Sequence, residues 1–251
     1  MNYKHYISLG YFCSIAIELE KMGLRNESSP FDWVISDFQG VVLAVEEEFS
    51  DFLNYDILFQ NKKNLAVYKN VKYNISFFHD FDKYSSLEKQ LSKIQEKYKR
   101  RINRFYKSIT EPTLFIRYIS DEELIKEGNR TISKELYWIE NNYEKIISLI
   151  KSFNANNDIL FIANENVRSS RFVIYNVKKD SNDVVNRSPI NNNSYLKEKF
   201  DNIDFKDKEK NIRRYQKKMK CSNSIYNRIR DKIKTIYKEQ FLKEYSHEKQ
   251  F

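Results

Sequence analysis

Apolar residues recur every three or four positions from Leu87 through Leu91, Ile94, Tyr98, Ile102 and Phe105 to Ile109, leaving Lys93, Lys97, Lys99 and Arg100 on the opposite side. That period predicts an amphipathic helix. Ser85 with Glu88 reads as the capping box that opens it, and Pro112 as its stop. A second such pattern, Leu136, Ile139, Tyr143, Ile147 and Ile150, predicts a helix over residues 133–153. Near the start, helical spacing begins at Cys13 and runs through Ala16 and Leu19, and Ser36, Asp37 and Gln39 open another helix, with Val41, Val42, Ala44, Val45 and Phe49 on its buried face.

Between these helices lie apolar runs with strand character. Residues 5–9, 113–119 and 158–163 are nearly continuous in apolar side chains, as expected of strands covered on both faces. Residues 55–59, 65–68, 73–78 and 171–177 are further β-rich runs. The alternation predicts an α/β fold with a largely parallel sheet flanked by helices over residues 1–180, carrying the Cys13 site. Residues 181–195 read as an Asn-rich loop, and residues 196–251 as a basic, mainly helical C-terminal appendage.

Composition narrows this picture. Apolar residues make up 41% of the 251, enough for a substantial core in spite of many Lys, Asn and Glu. The formal net charge is +9, and residues 206–238 hold thirteen Lys or Arg against three acids, so the rest of the chain is close to neutral. The basic segment is suited to phosphates of a nucleotide-linked donor or to an anionic membrane surface; nucleic acid is a poor match, because no interleaved aromatic platform or nucleic-acid motif accompanies it. Neither a GxxxxGK[ST] loop nor a GxGxxG turn occurs, which argues against nucleotide hydrolysis or dinucleotide binding.

Cys13 and Cys221 lie far apart with no Cys/His spacing around them. A disulfide framework and a structural zinc site are therefore not expected, nor is any cofactor, and a reduced, cytoplasmic setting follows. The apolar stretch at 7–17 is too short for a membrane span and lacks the small residue of a cleavage site.

Cys13 falls where a strand gives way to a helix. Unpaired N–H groups and the positive dipole end there are expected to lower the thiol pKa, and together with the turn at Gly10 they could hold an oxyanion. Of three histidines, His5 begins a buried strand and His247 lies in a polar tail, which leaves His79 as the base. Asp80 is its neighbour and one candidate to orient the ring; Asn164 and Glu165, at the end of the 158–163 strand, are others. Asp32, between two large aromatics, needs a partner if buried, and Arg25 is the nearest cation. That pair, with Trp33, forms a pocket wall or holds a substrate anion. Arg117 interrupts the apolar run LFIRYI and requires either a carboxylate or a ligand phosphate.

Together, SLGxxC at Ser8–Cys13, GLRxxSxPFDW at Gly23–Trp33 and FHDF at Phe78–Phe81 resemble a bacterial family of unknown function classed as papain-like cysteine peptidases. The resemblance implies a Cys/His pair at Cys13 and His79 but does not imply that peptide bonds are the substrate; a peptide, small-molecule or glycan-linked substrate is expected. The same segment is more distantly similar to hydrolase and acyltransferase families, some in bacterial surface-polysaccharide pathways, that carry a Gly-x-Cys or Gly-x-Ser block after the first strand. Here two residues separate Gly10 from Cys13, and no C-terminal Asp-x-x-His block follows. A transferase or accessory enzyme of polysaccharide assembly, and a non-catalytic binding module, stand as the alternative classes.

Overall fold

The computed structural model describes residues 3–121, 123–128, 130–178 and 186–222. In chain order the elements are β1 (His5–Ser8), α1 (Ser14–Lys21), β2 (Val34–Ser36), α2 (Phe38–Glu46), β3 (Leu58–Gln60), β4 (Tyr68–Asn70), β5 (Ile75–Phe77), α3 (Leu87–Ile109), β6 (Thr113–Tyr118), β7 (Leu124–Glu127), β8 (Arg130–Ser133), α4 (Lys134–Phe153), β9 (Asp158–Asn164), β10 (Ile174–Val177) and α5 (Ser194–Asp201). A further helix begins at residue 208 and runs to 222, the last described position. The fold is mixed α/β.

Four strands form a parallel sheet in the order β1-β6-β9-β10. All six residues of β6 are buried, which accounts for its continuous apolar run. Alternation divides the side chains of this sheet between two clusters. Ile7, Leu9, Phe115, Phe161 and Ala163 join α2, α3 and α4 in the larger one. Tyr6, Leu114, Ile116, Tyr118 and Ile162 join α1 and α5 in the smaller.

The remaining described strands are antiparallel. β2, β5, β4 and β3 pair in that order, and β7 with β8 makes a hairpin. A largely parallel architecture is therefore only part of the fold. Each strand of the antiparallel sheet has three residues, too short for a period to announce its partner. Gly40 lies where α2 crosses this sheet, and a Cβ there would come within 1.6 Å of the Tyr73 carbonyl oxygen.

α3 buries Leu87, Leu91, Ile94, Tyr98, Phe105 and Ile109, as its period demands. Its N-cap is Ser86, not Ser85, and Glu88 accepts a hydrogen bond from the Tyr55 hydroxyl instead of closing a capping box. The boundary expected at 180 does not end the packing either. Ile190, Leu196, Phe200 and Phe205 are buried in the smaller cluster with Tyr6 and Leu24. Residues 223–251 of the segment expected to be basic and mainly helical, His247 among them, lie outside the described residues.

Candidate functional site

Parallel strands end together, and their carboxyl edge gathers the loops that follow them. After β1 the chain stays beside β6 for three more residues: Leu9 donates to the Ile116 carbonyl, Tyr118 to Gly10 and Tyr11 to Tyr118. It then turns into α1 with Cys13 at the N-cap position. Cys13 is half-buried and its side chain makes no capping hydrogen bond. Burial pushes the thiol above its ordinary value of 9.0, outweighing a backbone hydrogen bond that pulls it down. The lowered pKa expected from the helix terminus is thus reversed by desolvation.

Ser8, Tyr118 and Asn164 alternate onto the α1 side of the sheet. The Tyr118 hydroxyl bonds Asn164 Oδ1 at 2.5 Å and accepts from the Asn186 backbone N–H at 3.2 Å. Asn164 Nδ2 donates to Asp121 Oδ2 at 2.8 Å. Asn164 is 6% exposed and tied on both ends of its amide. Glu165, one residue on, is exposed in the turn after β9. Next to Cys13, Ser14 is buried with its hydroxyl unpaired. Sequence reading missed Tyr118, Asp121 and Ser14; only Tyr118, a polar tip at the end of a buried strand, carried a signal.

Cys13 and His79 share no hydrogen bond. His79 is exposed after β5, and its ring meets Trp33 edge-on at 6.1 Å. Asp80 turns the other way: it accepts from Lys97 Nζ and from the Tyr98 hydroxyl, both on α3. His5 sits at the far end of β1, bonded to Glu111 at 2.9 Å. Gly10 has φ +85, and a Cβ there would stand 2.3 Å from Ser36 Oγ and 2.9 Å from Arg117 Nη1. Its N–H donates to Ser8 Oγ at 3.3 Å. The glycine is therefore needed for close packing over Arg117.

Arg117 is completely buried and spends all five N–H donors. Nε and Nη2 grip Glu135 at 2.9 and 2.6 Å, Nη1 donates to Leu9 O and Ser36 Oγ, and Nη2 also donates to Ser36 O. None is left for a ligand phosphate. Burial pushes the Glu135 carboxyl up, and the Arg117 guanidinium opposes it. Beyond Arg117 opens a polar cavity of about 220 Å³, walled by Tyr11, Ser36, Asp37, Ser120, Lys134 and Trp138 among others.

The Arg25–Trp33 half is a second network. Arg25 Nη1 reaches Asp32 Oδ2 and Nη2 reaches Glu20 Oε2, both at 2.5 Å. The Ser29 N–H also donates to Asp32 Oδ2 at 2.9 Å. Burial raises the Asp32 pKa against the pull of Arg25. Trp33 has Arg25 over its ring at 5.5 Å and Lys218 at 5.9 Å, so the 208–222 helix rests on this motif. Gly23 permits that approach, since a Cβ would fall 2.5 Å from the Lys208 carbonyl oxygen.

Among the described residues no His, Cys, Asp and Glu cluster could hold a metal ion, and no helix is long and apolar enough to cross a membrane. The family model described as "Putative papain-like cysteine peptidase" matches residues 4–135, which takes in β1, Cys13, the Arg25–Trp33 network, His79 and Arg117. The chain belongs to this family. It is also similar to the uncharacterized protein R408 of Acanthamoeba polyphaga mimivirus, 29% identical over 223 residues that cover 80% of this chain and 95% of that one. That relative is viral and lends no support to a bacterial origin. No solved structure matches the chain.

Proposed function

We propose that this protein is a cysteine-dependent acyl hydrolase of the peptidase kind, with Cys13 as nucleophile. The observation that carries this reading is the position of Cys13: a half-buried thiol opening α1 directly beyond the carboxyl edge of the parallel sheet. The first N–H groups of a helix have no intrahelical acceptor, and here they adjoin the buried Ser14 hydroxyl. These donors stabilise the oxyanion formed when Sγ attacks an acyl carbonyl.

The resting thiol is protonated, so a base must act as the substrate binds. His79 is assigned that task. It is exposed, its ring meets the edge of Trp33, and catalytic hydrogen bonds commonly tighten only in the substrate complex. The thiol proton passes to His79 as the S–C bond forms, and from His79 to the leaving nitrogen or oxygen as its bond to the acyl carbon breaks. Water then cleaves the thioester, releasing the acid and restoring the thiol.

An acylating active-site probe tests this. Mass spectrometry is expected to find the acyl group on Cys13, with no labelling in Cys13→Ala and labelling slowed about a hundredfold in His79→Ala. Acylation of Cys13 no faster than that of exposed Cys221 would overturn the nucleophile, and an unaffected His79→Ala rate would overturn the base.

A further inference from the structure

At the opposite end of the parallel sheet from Cys13, the Gly23–Ser29 loop, the last turns of α3 and the 208–222 helix enclose a cleft of about 450 Å³. Its floor is apolar, with Leu24, Phe105 and Phe205. Cations prevail in its walls: Arg104 and Lys107 come from α3, and Lys210 and Arg214 from the last helix. Three carboxylates line it too. Glu111 is held by Lys4 and His5, Asp207 stands 4.0 Å from Lys210, and Glu27 meets Arg104 at a long 3.5 Å. Arg25, also in the wall, is spent on Glu20 and Asp32. Among the described residues, Lys107 and Arg214 have no ion pair.

Two donors of this wall are buried without a hydrogen bond. Ser29 is 8% exposed and its Oγ has no hydrogen bond; Arg104 Nε is buried and has only Glu27 Oε2 at 3.5 Å, too long and poorly aimed to count as one. Buried donors are nearly always paired, so an orphaned hydroxyl and a guanidinium N–H with only a long carboxylate contact in one cleft call for an oxygen-rich acceptor. A carboxylate would satisfy one arginine fork. Cations on two separate elements, with a hydroxyl on a third, suit a group that carries more charge and presents oxygens in several directions.

We propose that this cleft binds a small organic phosphate. The phosphoryl oxygens accept from Ser29 Oγ and Arg104, displacing the long Glu27 contact. Lys107, Lys210 and Arg214 balance the charge, and the organic body rests on Leu24, Phe105 and Phe205. The site is separate from Cys13 and stands whether or not the thiol is catalytic.

Isothermal titration of the full chain with inorganic phosphate, adenosine 5′-monophosphate and adenosine tests it. Both phosphates are expected to bind saturably and adenosine at least about tenfold more weakly than its monophosphate, since charge-assisted hydrogen bonds are the strong ones. Ser29→Ala keeps the backbone N–H that holds Asp32, and Arg214→Ala alters an exposed side chain, so both variants are expected to fold. Each should weaken phosphate binding about tenfold. Lys217→Ala and Lys220→Ala, on the same helix outside the cleft, should leave it unchanged, as should Cys13→Ala. No saturable binding of either phosphate at millimolar concentration would overturn the proposal. So would equal loss in the Lys217 and Ser29 variants, because attraction would then be diffuse. Equal affinity for adenosine and its monophosphate would overturn the phosphate as the recognised group.

Discussion

The two sides of the parallel sheet, compared at its carboxyl edge, treat polar groups in opposite ways. On the side of α2 and α4, Arg117 is buried completely and every donor it has is matched. On the side of α1 lie a half-buried thiol that caps nothing, a serine hydroxyl without a partner and the Tyr118–Asn164–Asp121 chain. A saturated buried charge holds the scaffold, for it has nothing left to offer a substrate. Partly satisfied neutral groups at a strand end retain the capacity to bind and react.

The largest effect that can break this comparison is expected from Arg117→Leu. It strands the Glu135 carboxylate in the core, and urea unfolding should show a loss of about 3–5 kcal/mol. Arg117→Leu combined with Glu135→Leu should recover much of that, because the cost lies in the unpaired charge. A loss under about 1 kcal/mol in the single variant would mean that Arg117 is not the clamp its geometry implies. Tyr118→Phe, on the other side, deletes one hydroxyl that serves both Asn164 and the Asn186 N–H. A smaller loss of about 1–2 kcal/mol is expected in the same measurement.

Cys13→Ala should cost less than about 1 kcal/mol, since the side chain is half-exposed and caps nothing. The raised thiol pKa sets the sign of its pH dependence. Alkylation of Cys13 by iodoacetamide should keep climbing through pH 9.0 and beyond, because the reactive thiolate forms only above that ordinary value. A plateau reached near neutral pH would show a thiolate already activated in the resting enzyme.

The smallest effect belongs to the amino end of the sheet, where Glu111 joins the start of β1 to the start of β6. Hydrogen bonds from Lys4 and then His5 hold its carboxyl down to about 2. Stability from this clamp is fully present above the ordinary 4.5 and is lost as pH falls toward about 2. Glu111→Gln should therefore lower the neutral plateau slightly and flatten the acid limb of the stability curve in that window, because the variant has no such stability to lose. An identical acid limb in the variant would remove the clamp from the account.

The elements that were legible in sequence share one property: their signal is local. α3 and α4 announce themselves by period, and β6 and β9 by continuous apolar runs, because each buries a face long enough to repeat. The antiparallel sheet was not legible as a sheet. Val34–Ser36 pairs with Ile75–Phe77, some forty positions away, through three residues on each side. At the site, the position of Cys13 at the head of α1 follows from the strand-to-helix switch. Its raised pKa does not, since desolvation depends on what packs around it.

What the sequence determined by itself is the alternation of helices and buried strands, the cysteine at a strand-to-helix junction, and the need of Asp32 and Arg117 for partners. What the tertiary structure decided is which partners they have. Asp32 takes Arg25, seven positions away, whereas Arg117 draws on Leu9, Ser36 and Glu135, at separations of 108, 81 and 18. His79, adjacent to Asp80 in the chain, is sent to Trp33 while Asp80 is drawn to Lys97 and Tyr98. A buried polar group states its requirement in its own chemistry, but the group that meets it is chosen by where the packed chain returns.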